Sequence, residues 1–388
     1  MKHKIRVRKF ISKKCFDYLE FTTFTAISSI PVIKYYLMFN VFWSFRRSAA
    51  NLGDIALKMG RKVKIGTHNG TFHCDEVLAC SMLKHAKSEY SNAEVVRSRN
   101  MDILNDCDIV VDVGGVYEPS SHRYDHHQRS FDHTMNSLNK DYPWTIKLSS
   151  AGLVYFHFGH QIISKLLNLP VESEEVKIIY NKIYENFVQE IDAIDNGIDP
   201  CNGSEQKYKV HTHLSARVKH LNPPWNEPNP NETKCFEKAC QLVEQEFVDR
   251  VNFYGKIWLP ARDIVKTAIQ DRFSVHSSGE IIEFSNGGCP WKEHLFELEG
   301  TLKVEKPIKF VIYSDTNNNW RIQCVSVSPF SFENRLSLLK EWCGLRDEEL
   351  SKKSGIDGCV FVHMSGFIGG NKTREGVLQM GLKTLNHK

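Results

Sequence analysis

The sequence lacks any C-x-x-C pair among its 11 cysteines. This absence argues against a zinc ribbon and against a thioredoxin-type redox motif, because both need closely spaced thiols. An odd number of irregularly spaced cysteines is typical of reduced thiols in the cytosol, nucleus or mitochondrion. A chain of 388 residues with 41% apolar composition can bury cores without disulfides. The composition therefore indicates a globular protein of about two domains.

The chain also lacks the strong positive charge of proteins that hold long nucleic acids by bulk electrostatics. Its net charge of +4 is unevenly distributed along the sequence. Residues 1–62 contain 13 basic and three acidic side chains, whereas the rest of the chain contains 37 basic and 43 acidic ones. Any contact between nucleic acid and the body of the protein must therefore be local and assisted by bound cations.

Residues 1–60 contain few acidic side chains and no uninterrupted long apolar run. Pro31 and Lys34 interrupt the apolar patch at 21–45, which argues against a signal anchor. The basic, acid-poor composition is typical of a mitochondrial transit peptide. The alternative is an upstream extension, with a second start at Met59 immediately before the first predicted strand. In both cases we predict that residues 1–60 are a basic extension outside the folded domains.

Beyond the extension, short apolar strands alternate with helices, which predicts an α/β fold with a parallel sheet and helices on both faces. The Pro-rich stretch 222–230 cannot form regular structure and marks a domain boundary. We predict a first, α/β domain at 61–225, a connecting helix at 226–256 and a smaller α+β domain at 257–388. Within the last domain, the turn-rich residues 314–319 predict a hairpin.

Polar side chains follow two of the predicted strands. His68, His73 and Asp75 come after the strand at 63–66, and Asp112 closes the apolar run that begins at position 108. Ligands bind beyond the carboxyl ends of parallel strands in open α/β sheets, so we expect these side chains to converge. A buried, ionised Asp112 is costly unless it is paired or bound to a cation. Each residue alone has a structural alternative, such as helix capping by Asp75.

The triplet Asp125-His126-His127 is the most specific feature of the sequence. Imidazole and carboxylate groups together suit Mn²⁺, Mg²⁺ or Zn²⁺, and the ligands are too numerous for one tetrahedral ion. Two ions that flank a shared water are suited to hydrolysis at phosphorus. A surface turn is the alternative interpretation of the triplet, because His122 and His133 show that this region is rich in histidine.

Asp192 and Asp195 lie three positions apart, on one face of a predicted helix. Acidic side chains near a helix C-terminus oppose the helix dipole, so their position has no evident stabilising reason. We predict that one of the two is a further metal ligand, and the sequence alone does not say which.

The glycine-rich stretch 366–376 is predicted to connect a strand to a helix. Free backbone N–H groups at a helix start, next to basic side chains, form an anion site. An ordinary connection between two elements is the alternative. The predicted substrate-binding residues are His363, Gly369, Gly370, Lys372 and Arg374.

Five segments carry a family likeness: IGTHNGTFHCDEVLAC at 65–80, DIVVDVGG at 108–115, YDHHQRSF at 124–131, DAIDNGI at 192–198 and FIGGNKTREG at 367–376. Together they resemble the melanocyte-proliferating-gene family, a branch of the DHH-type phosphoesterases. The likeness runs from about residue 63 to 385. It implies a 3′–5′ RNA exonuclease of mitochondria and nucleus. The wider DHH group includes single-strand exonucleases, oligoribonucleotide hydrolases and manganese pyrophosphatases.

The resemblance also implies a role for each polar residue. One ion would be held by His68, His73 and Asp112, and a second by Asp75, Asp112, His126 and either Asp192 or Asp195. The implied catalytic residues are Asp112, His126 and His127, with His127 facing the phosphate under attack. Many DHH enzymes have aspartate where this chain has His73, and imidazole shifts the preference from Mg²⁺ toward Mn²⁺.

The chain departs from related nucleases at the Gly-Gly-Gly-His signature, which appears here as Gly369-Gly370-Asn371. Substrate handling is therefore expected to differ. We predict a metal-dependent 3′–5′ exoribonuclease that acts on single-stranded RNA or short oligonucleotides, has no membrane partner, and works in the mitochondrion and nucleus, with the cytoplasm left open. The alternatives are a small-molecule phosphatase or pyrophosphatase and a non-catalytic scaffold with a relic metal site.

Overall fold

Two five-stranded sheets organise the part of the chain that the computed structural model describes, residues 61–201 and 208–387. The extension predicted at 1–60, including its interpretation as a transit peptide, lies outside the described residues. Residues from Lys62 onward form one compact unit. Between 61 and 387, no described helix is both long enough and apolar enough to cross a bilayer.

The first sheet has four parallel strands and one antiparallel edge strand, in the order β2-β1-β3-β5-β4. Its strands are β1 (Lys64–Thr67), β2 (Glu94–Arg97), β3 (Ile109–Val111), β4 (Tyr117–Glu118) and β5 (Arg123–Tyr124). The carboxyl ends of the four parallel strands lie at one edge of the sheet. The predicted parallel sheet is confirmed. The polar residues follow β1, β3 and β5, at the edge where open α/β sheets bind ligands.

Helices cover both faces of this sheet, as predicted. They are α1 (Cys74–Ala86), α2 (Met101–Asn105), α3 (Met135–Leu138), α4 (Ser150–Leu167), α5 (Glu174–Ile183), α6 (Gln189–Asp195), α7 (Leu214–Lys219) and α8 (Glu232–Asn252). The main core lies on one face, where Ile109 and Val111 join side chains from α1, α4 and α8. The other face is covered by the short α2, where Leu104 packs on Val110.

The second sheet is mixed, with the order β6-β7-β8-β10-β9 and one parallel pair, β6 with β7. Its strands are β6 (Ile281–Phe284), β7 (Phe310–Ser314), β8 (Trp320–Cys324), β9 (Cys359–Val362) and β10 (Ile368–Asn371). Its helices are α9 (Leu259–Gln270), α10 (Arg272–Val275), α11 (Lys292–Thr301), α12 (Asp347–Ser354) and α13 (Arg374–Asn386). The antiparallel β7–β8 pair confirms the predicted hairpin.

The prediction of a glycine-rich loop at 366–376 is wrong in part, because β10 lies inside it. This strand pairs with β8 on one side and β9 on the other. A Cβ atom on Gly370 would lie 3.2 Å from the Trp320 carbonyl oxygen. A glycine at this position lets neighbouring groups approach the strand backbone closely, which is one of the usual reasons for glycine inside a strand.

Two π-helical turns join consecutive helices. Tyr184–Val188 joins α5 to α6, and Phe253–Trp258 joins α8 to α9. The predicted helix that carries Asp192 and Asp195 is therefore part of one helical stretch with a wide turn inside it. The helical stretch from α8 through α9 continues past position 256, where the connecting helix was predicted to end. The division into domains remains a prediction.

Candidate metal centre

The loop between β1 and α1 carries His68 and is held in place from β2. The Arg97 guanidinium donates to the Gly70 carbonyl at 2.5 Å and to the His68 carbonyl at 3.3 Å. The same guanidinium lies over the rings of Phe72 and Phe236, at 5.5 and 4.7 Å from their centroids. The backbone at His68 is therefore fixed by charge-assisted hydrogen bonds on an aromatic platform.

Helix α1 begins with a capping box that also delivers two carboxylates to the site. The backbone N–H of His73 donates to both oxygens of Glu76, at 2.9 and 3.0 Å. Asp75 and Glu76 are both buried in the first turn, where the helix dipole favours negative charge. The Nε2 atom of His68 lies 3.1 Å from Glu76 Oε1. Sequence reasoning treated Glu76 only as the start of a helix and missed it as a site residue.

Asp112 follows β3 in a left-handed conformation, with φ of 58°. Few non-glycine residues adopt this conformation because it costs free energy, and residues strained in this way are often found at functional sites. The backbone N–H of Asp112 donates to the Tyr124 carbonyl at 3.1 Å, which keeps it on the sheet edge. The hydroxyl of Ser150 donates to Asp112 Oδ1 at 3.0 Å. The carboxylate is thereby aimed at the histidines described next.

The three residues of the triplet after β5 have different surroundings. The carboxylate of Asp125 accepts the Gly115 N–H at 2.6 Å and lies 2.7 Å from His127 Nδ1. Asp125 therefore orients His127 and the glycine turn after Asp112, and it raises the pKa of His127. The His127 side chain is 60% exposed and faces a cavity, whereas His126 is buried.

The remaining side chains converge on Asp112. His126 Nε2 lies 3.2 Å from Asp112 Oδ1, 3.2 Å from Asp195 Oδ2 and 3.9 Å from Asp75 Oδ2. On the other side, His68 Nε2 lies 3.4 Å from Asp112 Oδ2. We call the assembled set the polar cluster: His68, His73, Asp75, Glu76, Asp112, His126 and Asp195. Three groups of three residues within it have potential ligand atoms within 4.8 Å of one another, and so does a fourth group made of Asp112, His126 and His127.

Unsatisfied buried atoms indicate that the polar cluster fits a cation. Both carboxylate oxygens of Asp75 and both ring nitrogens of His126 are buried and make no well-aligned hydrogen bond, although His126 Nε2 lies 3.2 Å from two carboxylate oxygens. Burial, followed by the charge of Asp112, raises the pKa of Asp75 well above its usual range. A divalent cation among these atoms would satisfy them and favour the ionised carboxylate. Nitrogen and oxygen donors of this kind suit Mn²⁺, Mg²⁺ or Zn²⁺.

Asp112 and the histidines on either side of it stabilise each other's charged forms. Burial by itself would lower the pKa of His68, but Asp112 and Glu76 raise it to about 10. Burial would raise the pKa of Asp112, but His126 and His68 hold it below its usual value. The carboxylates therefore favour positive charge in this space, whether it is carried by imidazolium or by a metal.

The two aspartates of α6 face different partners. Asp192 accepts hydrogen bonds from the Ser149 N–H at 2.9 Å, the Ser149 hydroxyl at 2.7 Å, the Gly152 N–H at 3.1 Å and the Tyr184 hydroxyl at 3.1 Å. It therefore caps the N-terminus of α4. Burial raises the pKa of Asp192 to about 7. The structure does not bring Asp192 to the ligand groups, whereas it does bring Asp195.

The five predicted substrate-binding residues lie after β9, within or just after β10, and at the start of α13. Arg374 forms a two-point ion pair with Glu283, with its Nε and Nη2 atoms 2.8 and 2.6 Å from Oε2. His363 Nδ1 lies 2.9 Å from the Ser365 hydroxyl. Gly369 and Gly370 lie within β10, and Lys372 is exposed. The cavity beside the polar cluster is lined by none of the five.

That cavity has a volume of about 980 Å³ and a basic side that the sequence analysis missed. Members of the polar cluster line it together with His127, and so do Lys147, His211, His213, Lys219 and His220. The signal in the sequence was the recurrence of histidine in His211-Thr212-His213 and Lys219-His220. No fixed spacing relates these residues to the triplet, and only folding brings them together.

Comparison with known proteins gives matches that begin after the basic extension. The family model for MYG1 exonucleases, described as an uncharacterised protein family, UPF0160, matches residues 64–385. The chain is 56% identical over 322 residues to the MYG1 exonuclease of Mus musculus, covering 83% of this chain and 84% of that one. It is 55% identical to the MYG1 exonuclease of Homo sapiens, covering 83% and 85%. Among solved structures, RecJ in complex with Mg²⁺ from Thermus thermophilus matches with 13% identity and a TM-score of 0.22, covering 88% and 52%.

Proposed function

The chain belongs to the MYG1 exonuclease family, UPF0160, and from this premise we propose that it is a metal-dependent 3′–5′ exoribonuclease that acts on single-stranded RNA. Family membership supports a nuclease. The observation that carries the metal dependence is the position of Asp112, between His68 and His126 and beside carboxylate oxygens without hydrogen-bond partners. The proposed 3′–5′ direction of cleavage and the preference for RNA rest on the family resemblance alone.

A divalent ion at such a site polarises the phosphoryl oxygens and lowers the pKa of a water molecule. Among the described side chains, His68, His73 and Glu76 form one possible ligand group, and Asp75, His126 and Asp195 form another. We propose two ions, with Mn²⁺ favoured over Mg²⁺, because the ligand groups overlap at Asp112 and include imidazoles. Metal analysis of the purified protein should give two ions per chain, and Asp112→Ala should lower that number.

His127 is the proposed contact to the reacting phosphate. Its Nδ1 atom lies 2.7 Å from Asp125, so Nδ1 carries a proton in that contact. Because Asp125 raises the pKa of His127, the imidazolium form is favoured, and its Nε2–H is then a donor for a phosphate oxygen. The side chain is exposed to the cavity, so substrate can reach it without a change in the buried cluster.

The direct test is cleavage of single-stranded RNA in the presence of Mn²⁺. RNA labelled at its 5′ end should shorten progressively from a free 3′ end, more slowly when that end is blocked. DNA of the same sequence measures the preference for RNA. Asp112→Ala should abolish cleavage, whereas Asp249→Ala, at an exposed position of α8, should not. Equal activity of Asp112→Ala and wild type would refute the assignment.

Hydrolysis of small phosphate compounds is the second candidate. The excess of acidic over basic side chains after residue 62 favours a short substrate. Turnover of pyrophosphate under the same conditions separates the two: rates well above those for oligonucleotides would replace the nuclease assignment. A relic scaffold is disfavoured because the potential ligand set is complete.

We also propose that the protein works in mitochondria and the nucleus. The basic composition of residues 1–60 and the family resemblance support this proposal. Imaging of the chain tagged at its C-terminus, with and without residues 1–58, tests it. Mitochondrial signal that does not depend on these residues would argue against a transit peptide.

A further inference from the structure

We propose that the basic side of the cavity binds a second, non-reacting phosphate of the substrate. We call its four members the cationic wall: Lys147, His213, Lys219 and His220. This inference rests on the proposed nuclease function and narrows its substrate to a chain with a phosphate next to the scissile one. The polar cluster is the place of the reacting phosphate, so a separate basic site in the same cavity requires another negative group.

The amines of the cationic wall have no carboxylate partners. Across residues 61–201 and 208–387, neither Lys147 nor Lys219 forms an ion pair. The Lys147 ammonium lies 5.6 Å from the centroid of the Phe131 ring, and its backbone carbonyl accepts from Asn196 Nδ2 at 3.0 Å. By contrast Arg217, on the same helix as Lys219, pairs with Glu246 at 2.8 Å. Lys147 and Lys219 therefore line the cavity without a charge that neutralises them.

The two histidines of the wall present different atoms to a ligand. His213 Nδ1 accepts the Ala216 N–H at 3.3 Å, so its neutral form carries the proton on Nε2. His213 Nε2 is thus a hydrogen-bond donor in either charge state. His220 Nδ1 lies 2.7 Å from the Ala216 carbonyl, which can only accept, so Nδ1 carries the proton. His220 Nε2 becomes a donor only when the ring is protonated.

A hydrogen-bonded link fixes the spacing between the wall and the polar cluster. Asn222, just after α7, accepts the Phe72 N–H at 2.9 Å and donates to the Phe72 carbonyl at 2.8 Å. Phe72 lies in the loop that carries His68 and His73. The segment with Lys219 and His220 is therefore tied to the segment with the potential ligands. The wall and the polar cluster therefore keep a constant separation. This suits two phosphates of one strand, because the bonds between neighbouring phosphates limit how far apart they can lie.

The size of the cavity agrees with such a substrate. Its volume of about 980 Å³ is at the upper end of the usual range for small-molecule sites, roughly 300–1,000 Å³. A cavity of this size can hold a ligand with more than one phosphate, such as a dinucleotide. A compound with a single phosphate would use one of the two sites only.

The test is RNA binding by metal-depleted protein as a function of salt, which needs no catalysis. Fluorescence anisotropy with a short labelled single-stranded RNA should show that Lys147→Ala and Lys219→Ala each weaken binding about tenfold. Each should also reduce the slope of log K against log salt by about 0.7, the value for one lost contact to a single-strand phosphate. Lys219→Arg should restore both quantities. Lys352→Ala, at an exposed position of α12, is the matched control.

Slopes equal to that of the wild type in both lysine variants, or no measurable RNA binding by the wild type, would overturn the inference. These outcomes are distinguishable from failure of the proposed function. If Mn²⁺-loaded wild type leaves RNA intact while the wall variants still change the salt slope, the nuclease assignment fails and the phosphate site stands. If RNA is cleaved and the slopes do not change, the phosphate site alone is wrong.

Discussion

At the scale of single residues, the candidate site is built from carboxylates whose directions are set by their neighbours. Asp125 follows β5 and Asp195 ends α6, and only Asp195 has a side-chain contact with His126. The carboxylate of Asp125 is occupied by Gly115 and His127. The sequence could place Asp125 near one edge of a sheet and Asp195 on a helix. It could not say which carboxylate would be satisfied by backbone N–H groups, because those donors come from distant segments.

The pair Asp192 and Asp195 gives a prediction that separates a structural role from a ligand role. Asp192→Ala leaves donors at the start of α4 without a partner, so we expect a loss of about 2–4 kcal/mol in unfolding free energy. Asp195→Asn should leave stability nearly unchanged and weaken Mn²⁺ binding by at least tenfold. Urea unfolding and metal titration measure the two effects. Loss of metal affinity in the folded Asp192→Ala protein, without loss in Asp195→Asn, would reverse the assignment.

At the scale of elements, the π-helical turns were the least predictable features. The sequence predicts a helix that carries Asp192 and Asp195, and a helix is present there. The wide turn Tyr184–Val188 inside it changes the facing of α6 relative to α5. Tyr184 at its start donates to Asp192. Such a turn has no signature in apolar spacing, so the sequence could not tell which aspartate would face the cluster.

The link between α7 and the His68 loop gives a second prediction. Asn222→Ala removes both hydrogen bonds to Phe72, and we expect a loss of about 1–3 kcal/mol in stability. The KM for RNA should rise several-fold because the cationic wall is no longer held at a fixed spacing. Thermal melting and steady-state kinetics measure these quantities. Asn226→Ala, at an exposed position nearby, is the control, and an unchanged KM in Asn222→Ala would count against this role.

A third prediction concerns the second π-helical turn. His294 of α11 is buried, its Nε2 atom lies 2.8 Å from the Trp258 carbonyl oxygen, and its ring lies tilted over the Trp258 ring with centroids 4.0 Å apart. Burial lowers the pKa of His294 below its ordinary value of 6.5. Its contribution to stability is therefore present above pH 6.5 and is lost as the pH falls through the lower, folded-state pKa.

Urea unfolding between pH 7.5 and 5 measures this contribution. We expect the wild type to lose stability toward acid and the His294→Gln protein to lose less. Equal acid sensitivity of the two proteins would show that another group is responsible.

At the scale of the whole molecule, most of the architecture could be predicted from sequence. Alternating strands and helices predict the first sheet, and the turn at 314–319 predicts a hairpin of the second. The glycines at 369–370 were misleading because they lie within β10, where neighbouring groups approach the backbone closely. Bulk charge was informative as well: the acidic body leaves anion binding to local features, and the basic residues of the cavity are such a feature.

The last prediction concerns residues 1–58. A chain that begins at Met59 keeps the whole unit from Lys62 onward. We expect its melting temperature and its RNA cleavage rate to equal those of the full chain within error. Calorimetry and the cleavage assay with Mn²⁺ compare the two proteins. A marked drop in either quantity would show that the extension takes part in folding or chemistry.

The left-handed backbone at Asp112 has a consequence for how this lineage can lose activity. Glycine and asparagine tolerate that conformation, whereas bulkier residues are strained there. Both are one nucleotide change away from aspartate in the genetic code. We therefore expect that natural paralogues which have abandoned hydrolysis carry glycine or asparagine at this position and still fold, so that a single codon would identify pseudoenzymes in genome surveys.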